Sequence, residues 1–396
     1  MSAEPDQGAL PQPDAAARAH SQTLAARIAE EIGVAGGAIR FSRFMELALY
    51  APGLGYYSAG AAKFGRTGDF VTAPEVSPLF ARCLARNCAA VLDSLPEGGE
   101  ILELGAGSGA MAADLLLELE HLEALPKRYL ILETSGELKA RQQRTLSERA
   151  PALVRRVDWL EQPPTELAGV ILANEVIDAL PCERFQLRES GIGYLGVGYR
   201  DGAFVWRPMA ADEALLAQQA RIADALGAPL PSGYRSEWRP MLAPWLAGIA
   251  GALKQGLLLL VDYGLPRAQL YHPQRADGTL ICHYRHHAHG NPFLWPGLQD
   301  ITAWVDFTAV AEAAQSQGLV LDGFTTQAAF LLASGLDQML ADPDRPDPRR
   351  HLEQAHQVGR LILPGEMGER FKVAGFSRDW DGQCPGLTGD DLSGSL

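Results

Sequence analysis

Two carboxylates directly follow a buried-strand pattern in the stretch GVILANEVIDALP. Residues 169–173 are small or apolar and predict a buried strand, after which come Asn174, Glu175 and Asp178. Carboxylates are seldom buried unless something pairs with them. One explanation is a binding site at the carboxyl end of the strand. The other is a helix N-terminus, where the helix dipole favours acids and where Glu175 and Asp178 would share one helix face.

A glycine loop, ELGAGSGA, is the second chemical signal. A strand followed by G-x-G at the start of a helix lets the backbone approach a ligand and directs free N–H groups at it. Gly105, Gly107 and Gly109 supply this pattern. Glu133, at the end of the next predicted strand, is placed to accept hydrogen bonds from ribose hydroxyls. These features suit NAD and S-adenosylmethionine alike.

Glu103 discriminates between the two cofactors. A carboxylate just before the loop would repel a pyrophosphate and attract the ammonium group of a methionine moiety; the alternative is a solvated acid. Asp158 and Trp159, which follow the third predicted strand, could accept from the adenine amino group and pack on the ring. Trp159 taken alone is more typical of a core residue. Together these residues favour S-adenosylmethionine.

The elements that must position these residues alternate between strands and helices. Continuous apolar strands separated by helices indicate a parallel sheet covered on both faces, and therefore an α/β fold. The last strand alternates with period two, which predicts an antiparallel edge strand. Seven strands are predicted. Six are at residues 100–105, 128–133, 169–174, 256–264, 318–326 and 369–378, and a weaker one, third in chain order, is contained in 153–159.

Other segments flank or interrupt this core. Long insertions after the strands of an open α/β sheet usually shape the ligand crevice. We expect this of residues 182–254 and 265–306. The first of these insertions should have turns at 190–193 and 201–202, followed by two helices. The predicted divisions are a disordered tail (1–19), an N-terminal helical and loop segment over the active site (20–98), the core (99–181 and 255–378), an inserted substrate-binding subdomain (182–254) and a C-terminal tail (379–396).

Composition excludes several classes of protein. A hydrophobic content of 47% with 21% charged residues is ordinary for a globular chain, and no apolar run reaches the roughly 18 residues of a membrane span. The net charge of −14 argues against general nucleic-acid binding. Five cysteines without a CxxC pair favour reduced thiols, and the first residues lack the order of a secretory or transit peptide. We therefore expect a cytoplasmic protein.

A histidine-rich stretch, CHYRHHAHG, lies at residues 282–290. A transition-metal site is conceivable there, but the spacing matches no common closed site. We predict a loop over the substrate crevice and no metal.

Eight stretches of the chain resemble the MidA-like family of S-adenosylmethionine-dependent methyltransferases. GDFVTAPEVSPLF and NEVIDALP are more specific to that family than the glycine loop is. The eight stretches, which cover residues from about 40 to 378, are RFMELALYAPGLGYYS, GRTGDFVTAPEVSPLFA, ILELGAGSG, NEVIDALPCERF, LLVDYG, ADGTLICHYRHH, PGLQDITAWVDFT and GERFKVAGFSR.

The resemblance implies a fold, a cofactor and a reaction. The fold is the class I methyltransferase fold, with a seven-stranded, mostly parallel sheet and an antiparallel last strand. The cofactor is S-adenosyl-L-methionine, and the reaction is methylation of a protein at an accessible arginine. Because the family includes the mitochondrial assembly-factor methyltransferase of respiratory complex I, a complex I subunit is the implied substrate. The oligomeric state, including a homodimer, stays open.

The carboxylates predicted near the cofactor site are suited to binding an arginine side chain as the methyl acceptor. A guanidinium stays protonated, and its planar fork matches a carboxylate bidentately. Glu175 is the first candidate for binding it. Asp178 is the second, with a helix cap as the alternative, and Glu75 in TAPEVSP is the third, with a surface acid as the alternative. Asn174 and Thr72 join the cofactor-binding candidates.

Two other functional classes remain open on this sequence. One is a nicotinamide-dependent oxidoreductase, which a binding assay with each cofactor would distinguish. The other is an assembly scaffold without catalysis, which would not need the acids and glycines of the cofactor site.

Overall fold

The computed structural model describes residues 10–58, 72–340 and 348–396. They form two compact units, each discontinuous in sequence. The first unit is drawn from Met1–Phe70, Asp178–Leu242 and Leu265–Asp306, and the second from Val71–Ile177, Ala243–Gly264 and Phe307–Leu396. The boundaries therefore differ from the predicted divisions: the segment 20–98 and the insertion 182–254 are each shared between the two units.

The helices alternate with strands over most of the chain. They are α1 (Ala15–Val34), α2 (Phe41–Tyr50), α3 (Ala73–Val76), α4 (Pro78–Ser94), α5 (Ala110–His121), α6 (Gly136–Arg149), α7 (Glu213–Leu226), α8 (Leu242–Ala250), α9 (Arg267–Leu270), α10 (Phe307–Ser316), α11 (Gln327–Ala333), α12 (Leu336–Leu340) and α13 (Pro348–Ile362).

The strands belong to three sheets. They are β1 (Glu100–Leu104), β2 (Tyr129–Leu132), β3 (Val157–Leu160), β4 (Leu167–Asn174), β5 (Glu183–Arg188), β6 (Gly191–Arg200), β7 (Ala203–Ala210), β8 (Arg235–Trp238), β9 (Leu253–Leu265), β10 (Ile281–Tyr284), β11 (His287–His289), β12 (Asp300–Thr302), β13 (Val305–Asp306), β14 (Val320–Thr326) and β15 (Phe371–Arg378).

The sheet of the second unit has the predicted strands in the order β14-β15-β9-β4-β1-β2-β3. From β9 to β3 all neighbours are parallel, and β15 is antiparallel to both of its neighbours. Leu104 pairs with Leu132 of β2 and with Ala173 of β4. The carboxyl ends of β1, β2 and β4 therefore meet at one edge, and the predicted α/β class with a mostly parallel sheet and an antiparallel last strand is confirmed.

The predicted edge position of the last strand is wrong. β15 lies between β14 and β9, and seven of its eight residues are buried. A Cβ at Gly375 would come within 2.3 Å of the Leu387 side chain, which would have to move to make room for it. The period-two alternation of β15 is therefore an alternation of small and large buried residues, and neither face of the strand is exposed to solvent. The edge strand is β14.

Helices cover the sheet with a continuous apolar core. The buried face of α4 is rich in Ala, Leu and Cys and packs with α5 and the sheet. Helix α4 begins where Ser77 accepts the N–H of Leu79 and Pro78 occupies the first turn, which is a common start for a helix. This packing fixes the elements from which the site is built.

The C-terminal residues are not a free tail. Trp380 is 8% exposed, and its Nε1–H donates to Ser94 Oγ at 2.8 Å. Asn87 Oδ1 accepts the N–H of Gly386 at 2.7 Å. The chain end is thus held against α4, contrary to the tail predicted over 379–396.

The first unit contains two antiparallel sheets, β7-β6-β5-β8 and β11-β10-β12. The turn predicted at 201–202 joins β6 to β7, and the turn predicted at 190–193 lies at 189–190, between β5 and β6. The two predicted helices are α7, in this unit, and α8, which belongs to the second unit from Ala243 onward. The disorder predicted through residue 19 is wrong from Ala15 onward, because Asp14 accepts the N–H of Ala17 and caps α1 there.

The histidine-rich stretch, which was predicted to be a loop over the substrate crevice, forms a β-hairpin. Cys282 pairs with His289, and Tyr284 pairs with His287. Arg285 and His286 form the turn with φ values of 46° and 64°, as a two-residue hairpin turn requires. In the described residues, no helix is long and apolar enough to cross a membrane.

Candidate functional site

The glycine loop joins β1 to α5 in a conformation that needs glycine. Gly105, Gly107 and Gly109 have φ values of 63°, 53° and 82°, in the left-handed region that residues with a Cβ avoid. Gly109 is the N-cap of α5, so the first N–H groups of a twelve-residue helix face the loop. The loop can accept a ligand against bare backbone.

Glu103 lies in β1 just before the loop and is 1% exposed. Its Oε2 accepts the phenol O–H of Tyr129 at 2.7 Å. Burial raises the pKa of Glu103 to about 7, the Tyr129 hydrogen bond lowers it, and Glu133 raises it further. A buried acid with few partners gains from a nearby cation, which fits the ammonium group of a methionine moiety and not a pyrophosphate.

Glu133 follows β2 and has its carboxylate oriented by two donors. Oε1 accepts the N–H of Ser135 at 2.8 Å, and Oε2 accepts Nε2–H of Gln142 at 3.0 Å. Burial raises the pKa of Glu133, while these two hydrogen bonds oppose that shift. The side chain is therefore held in one orientation at the edge where β1 also ends.

Gln142 is a member of the site that the sequence analysis missed. It is fully buried on α6, and it bonds the carbonyl of Gly107 as well as Glu133. Its Oε1 accepts Nε1–H of Trp159 at 2.9 Å. The available signal was weak: Gln142 lies four residues before Leu146, the other buried residue of a mostly polar helix.

The acids at the end of β4 do not begin a helix. After Asn174 the chain runs through bends and turns to β5, so the helix N-terminus and the shared helix face are both wrong. Glu175 has φ of 53° and donates its N–H to the carbonyl of Val261 at 2.9 Å. Its Oε1 accepts the N–H of Ala73 at 3.4 Å and Nδ2–H of Asn174 at 3.2 Å. The carboxylate is held at the carboxyl end of β4.

Asn174 offers a further acceptor. Its Oδ1 atom is buried and has no hydrogen-bond partner, which is costly unless a ligand supplies a donor. Asp262, in the neighbouring strand β9, supports the turn that follows, since its Oδ2 accepts the N–H of Ile177 at 2.9 Å.

Helix α3 connects the end of β4 with the glycine loop. Ala73 donates to Glu175, and two residues later Glu75 Oε1 accepts the hydroxyl of Ser108 in the loop. Thr72 is the N-cap of α3, and its carbonyl accepts the N–H of Glu75 at 2.9 Å. Glu75, Glu175 and the glycine loop are thus brought together, and Ser108 is a second residue that the sequence analysis missed. The preceding residues of that motif, 65–71, lie outside the described residues.

Asp178 is placed in the first unit. It is 5% exposed, and its carbonyl accepts the guanidinium of Arg239 at 2.6 Å and the N–H of Ala303 at 3.3 Å. It is therefore part of a turn and not a helix cap. Its predicted role toward the acceptor stays a prediction.

Asp158 and Trp159 lie inside β3 and not after it. Successive side chains of a strand point to opposite faces, and Asp158 is accordingly exposed, 3.9 Å from Arg128, while Trp159 meets Gln142. The structure brings Trp159 to the Glu133 cluster and separates Asp158 from it. Among the residues that the structure describes, no three His, Cys, Asp or Glu side chains are grouped so that they could hold a metal ion.

The arrangement fits S-adenosyl-L-methionine. The glycine loop offers backbone, Glu103 favours a cation, Glu133 is an oriented acceptor, and Asn174 has an unused buried oxygen. These residues would hold the cofactor at one edge of the sheet, with the Glu175 carboxylate beside it at the end of β4.

Comparison with known proteins gives a family and several relatives. The family model of S-adenosyl-L-methionine-dependent methyltransferases matches residues 83–325. The Drosophila melanogaster protein arginine methyltransferase NDUFAF7 homolog, mitochondrial, is 29% identical over 91% of this chain and 86% of its own. The Homo sapiens protein arginine methyltransferase NDUFAF7, mitochondrial, is 27% identical over 85% of this chain and 79% of its own.

A solved structure agrees with this family. The crystal structure of a Burkholderia thailandensis protein bound to S-adenosyl-homocysteine has a TM-score of 0.93 and 45% identity, covering 98% of this chain and 100% of that one. With the family match it confirms S-adenosyl-L-methionine as the cofactor and methyl transfer as the reaction. Our expectation of a cytoplasmic location is wrong on this comparison, because both curated relatives are named mitochondrial.

Proposed function

We propose that this chain, which belongs to the family of S-adenosyl-L-methionine-dependent methyltransferases, methylates an arginine side chain of a protein substrate. Its curated relatives are named protein arginine methyltransferases. The observation that carries the proposal is the Glu175 carboxylate, held at the end of β4 beside the strand that bears the glycine loop.

The backbone of Glu175 supports a functional role. A residue with a side chain costs free energy in the left-handed region, and such residues persist where their surroundings fix them. Here the N–H of Glu175 bonds Val261, and its Oε1 is bonded by Ala73 and Asn174. The chain thus accepts a strained backbone and aims a carboxylate at the edge where the cofactor residues lie.

A carboxylate in this position suits a guanidinium acceptor. The cofactor supplies a methyl group on a positively charged sulfur. The guanidinium is itself cationic, so a carboxylate must hold it close and draw its charge toward the nitrogens that do not react. Glu175 performs this binding and orientation. In this proposal Glu75, the second carboxylate on the path from Glu175 to the glycine loop, helps to neutralise the guanidinium and takes the proton that the methylated nitrogen releases.

The protein substrate follows from the family resemblance rather than from the site. A subunit of respiratory complex I is the substrate that the resemblance implies, and the number and arrangement of the transferred methyl groups stay open. Its relatives' names support a protein acceptor.

Replacing Glu175 by Gln tests the proposal. Gln is nearly isosteric, so packing is kept, but the charge and one acceptor of a bidentate pair are lost. We expect methyl transfer to fall about a hundredfold, on the order of 3 kcal/mol, while S-adenosylhomocysteine affinity and melting temperature stay near those of the wild type. Arginine methylation is measured by mass spectrometry in a host that lacks the gene and is complemented with each variant.

The matched control is Glu123→Gln. Glu123 is also a left-handed glutamate, with φ of 58°, but it is exposed after α5, so its replacement should change nothing. Full methylation by the Glu175→Gln enzyme would refute the role of Glu175. Failure of the Glu175→Gln variant to fold would mean that the carboxylate has a structural role. If the deletion host instead lost methylation at residues other than arginine, the proposal of an arginine acceptor would be refuted.

A further inference from the structure

Gln142 makes three hydrogen bonds from a side chain with no exposed surface. Its Nε2 donates to the carbonyl of Gly107 at 3.2 Å and to Glu133 Oε2 at 3.0 Å. Its Oε1 accepts Nε1–H of Trp159 at 2.9 Å. These partners come from the glycine loop, the residue after β2, and β3.

The chemistry of the partners fixes the orientation of this amide. An indole nitrogen can only donate, whereas a carbonyl and a carboxylate can only accept. Trp159 must therefore face Oε1, and Gly107 and Glu133 must face Nε2. A glutamate at 142 would present no donor to Gly107 or Glu133, and leucine would offer neither a donor nor an acceptor. Glutamine satisfies all three partners at once.

The backbone of α6 is also close to the loop at this residue. A Cβ built on Gly109 would come within 3.0 Å of the Cα of Gln142. The loop is thus in contact with both the main chain and the side chain of one helical turn. A fully satisfied buried polar network of this kind selects one arrangement of its members.

We propose that Gln142 is a positioning residue for the cofactor, which locks the glycine loop, Glu133 and Trp159 into one geometry before the cofactor binds. Because the cofactor then meets groups that are already ordered, less of the binding free energy is lost in arranging them. The inference depends on the cofactor of this family and not on the arginine acceptor.

Calorimetry with S-adenosylhomocysteine tests the inference without any methyl acceptor, so its failure is separable from failure of the arginine proposal. Gln142→Leu removes all three hydrogen bonds at similar volume, and we expect about tenfold weaker binding. Gln142→Glu should bind more weakly still, because it sets a second carboxylate against Glu133. Gln143→Glu is the matched control: the same change at the next, exposed residue of α6 should leave the affinity unchanged.

A spectroscopic readout separates positioning from general stability. The indole N–H resonance of Trp159, assigned by its absence in Trp159→Phe, should move upfield in Gln142→Leu because its acceptor is gone. Trp159→Phe removes one hydrogen bond and leaves a ring, so it should weaken binding by about threefold, and it remains informative if the Gln142 variants do not fold. Unchanged S-adenosylhomocysteine affinity in Trp159→Phe or in folded Gln142→Leu would overturn the inference, as would an unmoved indole resonance.

Discussion

Two glutamates mark the ends of the neighbouring strands β1 and β4, and the chain treats them in opposite ways. Glu103 lies within its strand, is 1% exposed and accepts a phenol hydroxyl. Glu175 lies one residue past its strand, is half-buried, and sits on a left-handed backbone with N–H donors on one oxygen. The Glu103 carboxylate is therefore enclosed by the protein, whereas the Glu175 carboxylate is partly exposed at the end of its strand.

This difference indicates how one sheet edge can serve two ligands. An enclosed acid whose pKa burial has raised to about 7 gains most from a partner that brings a fixed positive charge and stays bound. A half-buried carboxylate that already accepts N–H groups, such as Glu175, can bind a substrate that exchanges with solvent. Changes around β1 should therefore affect cofactor affinity, and changes at the end of β4 should affect methyl transfer.

The largest expected effect is at the loop. Gly107→Val should abolish detectable S-adenosylhomocysteine binding in calorimetry, because valine is strongly disfavoured at φ of 53° and its side chain would fill the space of the ligand. Gly318→Val is the control: Gly318 has φ of 76° in the same unit, but a Cβ there meets nothing within 4 Å. If both variants bind the ligand equally, the loop is not the cofactor site.

A smaller effect is expected for Glu103→Gln, which should raise the stability of the unliganded protein but weaken its binding of S-adenosylhomocysteine. The pKa of Glu103 is raised from 4.5 to about 7 in the folded protein, so the folded state holds its proton where the unfolded state has lost it. Its contribution to stability is complete below about pH 4.5 and is lost as the pH rises through 7. A neutral amide at this position undergoes no such loss. The unliganded variant should be more stable than the wild type at pH 8, by on the order of 3 kcal/mol, yet bind S-adenosylhomocysteine about tenfold more weakly.

Denaturant titrations at pH 5 and pH 8, with calorimetry at pH 8, measure both quantities. The control is Glu100→Gln, on the same strand, where the carboxylate bonds the half-exposed Arg128 side chain. A variant that is less stable than the wild type at both pH values would show that Glu103 is not an enclosed charge, and the contrast with Glu175 would fail.

The smallest effect is expected at the hydrogen bond between Ser108 of the glycine loop and Glu75 of α3, which bonds Glu175 through Ala73. Ser108→Ala removes the hydroxyl that donates to Glu75, which should slow methyl transfer about fivefold, or about 1 kcal/mol, with little change in cofactor affinity. Ser147→Ala is the control, since that hydroxyl bonds only the Gln143 carbonyl on exposed α6. A larger loss of affinity than of rate would assign Ser108 to the cofactor side.

The strands could be predicted because long apolar runs have few alternatives in a covered sheet. β1, β2, β4 and β9 fall where the runs are, and the family, fold class and cofactor are confirmed. The third strand was predicted within 153–159 and ahead of Asp158, but it begins only at Val157 and includes Asp158 and Trp159, since a short 3-10 turn takes up Val154–Arg156.

The site was harder to predict because its geometry depends on contacts between distant residues. Glu175 and Glu133 could be proposed from the sequence because acids beside strand ends stand out, and Glu75 because prolines flank it in TAPEVSP. Their roles stay predictions. Gln142 and Ser108 were missed, because a glutamine in a polar helix and a serine in a glycine loop carry no pattern that separates them from surface residues. The helix N-terminus that was the alternative at Glu175 does not form, because the chain turns there and the N–H groups of Ile177 and Glu175 bond Asp262 and Val261.

The place of β15 between β9 and β14 has a consequence for how the chain is made. It is the last strand to leave the ribosome, yet it fills an inner position of the sheet. Until it arrives, the residues of β9 and β14 that will pair with it have unsatisfied N–H and C=O groups, which can pair with another nascent chain. Nonsense or frameshift changes that remove Phe371–Arg378 should accordingly yield aggregated protein and not a shortened enzyme.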